Sequence, residues 1–180
     1  MEPSTDAAIT LRLLKSPALD QVLRAASPIA LRAFAVACGR LALELTRDDQ
    51  PPGVAARLSQ SLDMASLLVQ GVSTEDPDLV IAREEARELA RTLDSAQLDL
   101  LAEVEEAAER AGLRTAEHPR YLAYGVAASC HRAAEIVAHA LHDDAFAGAV
   151  ECAYILATGM RIDIPTVLAI ARANIPAAPP

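Results

Sequence analysis

The chain has 180 residues, a formal net charge of -9, and 52% hydrophobic against 23% charged residues. That balance suits one globular domain with a sizeable core and excludes a disordered chain. The acidic excess argues against binding nucleic acid or an anionic membrane surface, both of which draw on lysine and arginine.

Mean hydropathy is positive because alanine makes up about a fifth of the chain. No apolar run approaches the roughly 20 residues that cross a bilayer. The opening Met1-Glu2-Pro3-Ser4-Thr5-Asp6 has neither the basic start nor the apolar stretch of a secretion signal. Cys38, Cys130 and Cys152 are odd in number and sit in apolar surroundings. They are expected as reduced cytoplasmic thiols, with Cys38 and Cys130 buried and unbridged.

In chain order, strong helix formers dominate and no stretch alternates with period two. Short helices are predicted at 6–15 and 17–26, then longer ones at 28–47, 53–70, 77–93, 95–111 and 119–142, and two more at 144–158 and 164–174. Ser16-Pro17, Ser27-Pro28 and Asp76-Pro77 each place a capping side chain before a proline at the first helical position. Ser95 reads as a further N-cap, and Gly71, Gly112 and Gly159 as C-terminal stops. Asp48 to Gly53 is a turn, and 175–180 is a Pro/Ala-rich tail expected to fray. The prediction is an all-α, single-domain bundle of about seven to nine helices over 1–174, with an Ala/Leu-rich core.

The helix at 28–47 is expected at the centre, on a stripe of Ala30, Phe34, Ala37, Cys38, Leu41 and Leu45. The run from Arg83 to Arg91 reads as a solvated charged face. Glu103, Glu105, Glu106 and Glu109 make the next segment acidic, a possible docking face for a partner.

The histidines carry the candidate site. His131, His139 and His142 lie in the segment 119–142. At 100° per residue they share an arc of about 80° with Glu135, Tyr121 and Tyr124. Leu122, Val126, Ala133, Ile136 and Ala140 fall on the opposite side. The six polar residues are therefore expected on an outer face, so that replacing His131 and His139 by alanine changes stability by less than about 1 kcal/mol. Tyrosine and histidine combine apolar bodies with polar tips, which suits contact with a partner. Imidazole and carboxylate at i, i+4 can also chelate a metal if other helices contribute ligands. His142-Asp143, with His118 upstream, is similar to the His-Asp dyad of metal-dependent phosphohydrolases. No phosphate-binding glycine loop, dinucleotide turn or Cys-x-x-Cys occurs.

The segment Leu31-Arg32-Ala33-Phe34-Ala35-Val36-Ala37-Cys38-Gly39-Arg40 resembles the Leu-Arg-x-Phe-Ala-x-x-Cys opening of a bacterial all-helical family of unknown function, abundant in planctomycetes. The capped acidic stretch from Ser73 to Glu85 and the alanine-rich 121–158 are similar in layout to helical bacterial immunity proteins. The resemblance implies a helical protein that neutralises a toxin by binding it. It implies no individual site residue, since Gly39 stands where the family has a second cysteine and the family's tryptophans are missing.

The expected function is a non-enzymatic cytoplasmic protein-binding module, such as an immunity or accessory protein, with Tyr121, Tyr124, His131, Glu135, His139 and His142 as candidate contacts. The expected partner is a basic protein; neither nucleic acid, membrane nor cofactor is called for, and a homo-oligomer stays open. The alternative is a helical-bundle metalloprotein or metal-dependent hydrolase using His131, Glu135, His139 and His142.

Overall fold

The structure is a computed structural model that describes residues 5–176, the Thr5 side chain excepted. Among the described residues, eight α-helices form an all-α, single-domain bundle: α1 (Thr5–Leu13), α2 (Pro17–Ala25), α3 (Pro28–Leu45), α4 (Val54–Val69), α5 (Pro77–Ala111), α6 (Tyr121–Ala140), α7 (Ala145–Tyr154) and α8 (Ile164–Asn174). No strand occurs among the described residues. A 3₁₀ turn, Thr115–Glu117, precedes α6, and a π-turn, Ile155–Gly159, extends α7.

Helix starts follow the capping chemistry. The Ser16 and Ser27 hydroxyls accept from the Leu19 and Ala30 amides, and the Asp76 carboxylate accepts from the Asp78 amide. Asp144 and Asp163 cap α7 and α8 in the same way. Gly71 and Gly112 close α4 and α5 with positive φ. At Gly112 the φ of 67° brings the Leu113 amide back to the Ala108 carbonyl, which only a residue at home in the left-handed region allows cheaply.

Two predicted boundaries are corrected. The helices expected at 77–93 and 95–111 are one helix of 35 residues, about 52 Å long. Ser95 has no proline after it. Its neighbour Asp94 spends its carboxylate on the Gln97 side chain instead of a backbone cap. The last turn before α8 is closed by Arg161, at φ 58°, rather than by Gly159. The π-turn carries an extra residue per turn and so ends later than an α-helical count predicts.

α3 lies at the centre, in contact with α4, α6, α7 and α8. Ala30, Phe34, Cys38 and Ala42 are buried along it. The end of its predicted stripe is wrong, since Leu45 is half exposed where the helix leaves the core. A continuous core runs from Ala7 to Ile175. Ile175, assigned by sequence to the frayed tail, is therefore buried; residues 177–180 lie outside the described residues. The core includes α5 only up to Leu93 and α6 only from Ala133. Beyond those points α5 and α6 continue in contact as a two-helix hairpin, in which Val104 and Ala108 of α5 are buried. None of the helices is long and apolar enough to cross a membrane, among the described residues.

The three thiols are buried and free, as expected. The Cys130 thiol donates to the Asp49 carbonyl at 3.3 Å and the Cys152 thiol to the Ile136 carbonyl at 3.4 Å. Burial pushes all three above the ordinary thiol value, so the nucleophilic thiolate is scarce. An aromatic disulfide reagent should therefore label the native protein slowly and titrate every cysteine once denaturant is added. One fast equivalent under native conditions would show that a thiol is accessible.

Candidate functional site

α6 owes its position to small residues. Ala133, Ala134 and Ala140 are fully or almost fully buried, as are Ile136 and Val137, and alanine lets neighbouring helices approach closely. Gly148 of α7 lies so near that a Cβ there would stand 2.5 Å from the His139 carbonyl oxygen. The predicted apolar side of α6 holds only within the core. Leu122, placed on that side, is 78% exposed and Val126 is half-buried, because the first half of the helix belongs to the hairpin.

The predicted polar strip is split into three settings. His131 is the main correction: it is 5% exposed, not on an outer face. It packs against Gln97 of α5, itself 5% exposed. The Gln97 amide nitrogen donates to the Asp94 carboxylate at 2.7 Å and lies 3.0 Å from His131 Nδ1. A carboxylate can only accept, so the amide orientation is set, Nδ1 is the acceptor and the imidazole proton sits on Nε2. That nitrogen faces Glu135 Oε1 at 3.5 Å, while Glu135 Oε2 accepts from Arg132 at 2.7 Å. The Gln97 carbonyl oxygen is buried without a partner among the described residues. Removing His131 would therefore disturb a buried polar cluster, and the small effect expected for a surface residue no longer applies.

His139 and His142 form the second setting. Their rings stack with centroids 6.3 Å apart. With Arg87, Arg91 and Glu135 they line a shallow groove of about 300 Å³ between α5 and α6. The His142 ring accepts from the Asp144 amide at 3.0 Å. Tyr121 and Tyr124 form the third, with ring centroids 5.5 Å apart. They border a groove of about 530 Å³ shared with Arg132, Met160 and Arg161.

Burial lowers the pKa of His131, opposed by Glu135 and Asp94 and assisted by Arg132. Burial also lowers that of His139, opposed by Glu151 and Glu135 and assisted by His142 and Arg87. Both imidazoles are neutral near pH 7. In the unfolded chain each would take a proton near the ordinary histidine value of about 6.5. Below that value the unfolded state binds more protons than the folded one, so folding stability falls with pH. We expect the melting temperature to drop from about pH 7 to about pH 5, and to drop less in His131→Gln, which loses one titrating ring. An identical slope in the variant would show that His131 does not contribute.

The metal reading loses its geometric support. No group of three or more His, Cys, Asp or Glu side chains suited to hold an ion occurs among the described residues. The His-Asp dyad reading fails for a related reason. Asp143 pairs with Arg83, His142 bonds the Asp144 backbone, and His118 precedes α6, with about 30 Å of helix between the two histidines.

Arg83 does not lie on the solvated face expected from the charged run but is a buried structural residue. It is 7% exposed; its Nε donates to the Leu141 carbonyl at 2.8 Å, and its Nη2 to the Thr74 carbonyl at 3.2 Å. Arg32 donates to the His142 and Asp143 carbonyls. The two arginines thus hold the turn between α6 and α7 from either side. The other pairs of that charged run, Arg87 with Glu84 and Arg91 with Glu88, do lie on the surface as predicted.

With this geometry in hand, comparison with known proteins adds no relative: no family model, curated protein or solved structure matches the chain.

Proposed function

We propose that the chain is a non-enzymatic protein-binding module acting in the cytoplasm, an immunity or accessory protein whose partner is a basic protein. The observation that supports this best is the outer face of the second half of α5. Leu98, Ala102, Glu105, Glu106 and Glu109 share an arc of about 100°, and all are exposed. Gln97, Val104 and Ala108 point the other way and are buried. Exposed Asp99 and Glu103 flank the arc, and its sole cation, Arg110, pairs with Glu106 at 3.8 Å.

A carboxylate row with an apolar residue at one end and Leu113, 43% exposed, at the other offers long-range attraction and a short-range contact. Such a field raises association rates for cationic partners and is screened by salt. Toxins that attack nucleic acids are often basic, which agrees with the sequence resemblance to immunity proteins. Tyr121 and Tyr124 lie at the same end of the hairpin and would add aromatic contact area. His131 is buried and drops out of the contact set; Glu135, His139 and His142, half-buried in the α5–α6 groove, stay secondary candidates.

The test is to mix the purified chain with the product of the adjacent gene and follow complex mass by size-exclusion chromatography with light scattering. A stoichiometric complex that weakens as salt is raised supports the reading. A chain that stays unassociated, or a complex indifferent to salt, contradicts it.

A further inference from the structure

The groove beside Tyr121 and Tyr124 has an electrostatic character opposite to that of the rest of the molecule. The chain carries 25 acidic residues against 16 basic ones. Yet the groove, about 530 Å³ in volume, includes two arginines and no carboxylate among its lining residues. That volume lies in the range of small-molecule sites. One arginine, Arg132, is tied by one nitrogen to Glu135 and keeps further N–H groups. The other, Arg161, has no ion pair among the described residues.

Arg161 is one of two non-glycine residues with positive φ among the described residues, Lys15 being the other, and it alone of the two lines this groove. The π-turn Ile155–Gly159 ends when the Met160 amide bonds the Ile155 carbonyl at 2.9 Å and the Ile162 amide bonds the Leu156 carbonyl at 3.0 Å. This closure puts the residue between them in the left-handed region, where glycine is the usual occupant. Here it is an arginine at φ 58°. A side chain in that conformation is disfavoured, and strain of this kind clusters at binding sites. Gly159, by contrast, is needed for space: a Cβ there would lie 3.0 Å from Arg132 Cδ. Glycine thus stands where the Arg132 stem crosses the π-turn, and arginine stands where glycine would fit the backbone better.

We infer that this groove is a binding site for a small organic oxyanion, a carboxylate or phosphate ester with a flat apolar body. Arg161 and the remaining N–H groups of Arg132 engage the anion by charge-assisted hydrogen bonds. The Tyr121 and Tyr124 rings and Met160 border the space for the apolar part. The site shares Tyr121 and Tyr124 with the proposed partner contact, but its two arginines lie outside the acidic face of α5 and the inference does not rest on protein docking there.

The 180-residue chain, isotopically labelled, is titrated with phenyl phosphate, benzoate and, as a neutral control, benzyl alcohol, each at millimolar concentration. The Gly125, Gly159 and Arg161 amides report on the groove. Saturable shifts with one or both anions, and none with benzyl alcohol, are expected; the anion that shifts them more tells phosphate from carboxylate. Arg161→Gly should abolish the shifts while leaving the melting temperature unchanged or higher, because glycine suits the closing position. Arg161→Gln, which keeps the backbone conformation and the side-chain stem, should also lose them. No shift with either anion, equal shifts with benzyl alcohol, or shifts that survive both substitutions would overturn the assignment.

Discussion

Replacing Gly148 by alanine should destabilise the protein by about 2–3 kcal/mol, although alanine is the better helix former by about 1 kcal/mol. The added Cβ would meet the His139 carbonyl oxygen at 2.5 Å and His142 Cβ at 3.0 Å. The first of these is backbone, so the two helices must move apart to relieve it. Overpacking of this kind outweighs the propensity gain. At this chain length the loss corresponds to roughly 4–12 °C in melting temperature. Gly125 is the control: outside its own helical turn, nothing among the described residues lies within 4 Å of its added Cβ, so Gly125→Ala should stabilise by up to about 1 kcal/mol. Opposite signs from the same substitution in adjoining helices would locate the α6–α7 contact. A neutral Gly148→Ala would show that the two helices pack more loosely than this approach requires.

Arg83→Ala should cost about 3 kcal/mol, a far larger effect than for its neighbours in the same charged run. The substitution leaves the Leu141 and Thr74 carbonyls without their donor and empties a buried volume. The ion pair with Asp143 adds less, because that carboxylate is 61% exposed and solvent screens it. Arg87→Ala and Arg91→Ala, whose partners Glu84 and Glu88 lie at the surface, should each cost no more than about 0.5 kcal/mol. Chemical unfolding of the three variants measures the contrast directly. Equal effects would place Arg83 back among the solvated charges.

The class of fold was legible because the signals were local. Capping side chains before Pro17, Pro28 and Pro77 marked three starts, and all three caps form. Ala30, Phe34 and Cys38 lay on an apolar stripe that proved central. Arg83 was legible in principle. Leu79, Ala82, Ala86, Leu89, Ala90 and Leu93 are buried at helical spacing, and both Arg83 and Gln97 fall on that same stripe. Their polarity hid a position that the period gave.

The placement of His131 depended on information of another kind. A helical wheel divides one helix into an inner and an outer face, but α6 has neighbours on several sides: α3, α4, α5 and α7. What covers His131 is Gln97, distant in sequence and matched to it only by the antiparallel pairing of α5 with α6. No spacing within α6 encodes that register. Leu122 shows the converse. Its apolar side chain suggested burial, and it is exposed because α6 outruns the core at its first half. The split of the strip into a buried histidine, a stacked pair and a tyrosine end follows from these tertiary facts.

The reading of this chain as a binding module rests on the outer face of α5, and one measurement addresses it most directly. Glu105 and Glu109 are exposed, and neither takes part in an ion pair among the described residues. Their double reversal to lysine should leave stability within about 0.5 kcal/mol. Titration calorimetry of the wild-type and Glu105→Lys/Glu109→Lys proteins against the adjacent gene's product then isolates the role of the face. Association should weaken at least about tenfold, equivalent to about 1.4 kcal/mol, with a shallower dependence on salt. Equal affinity and equal salt dependence in the two proteins would contradict the binding-module reading.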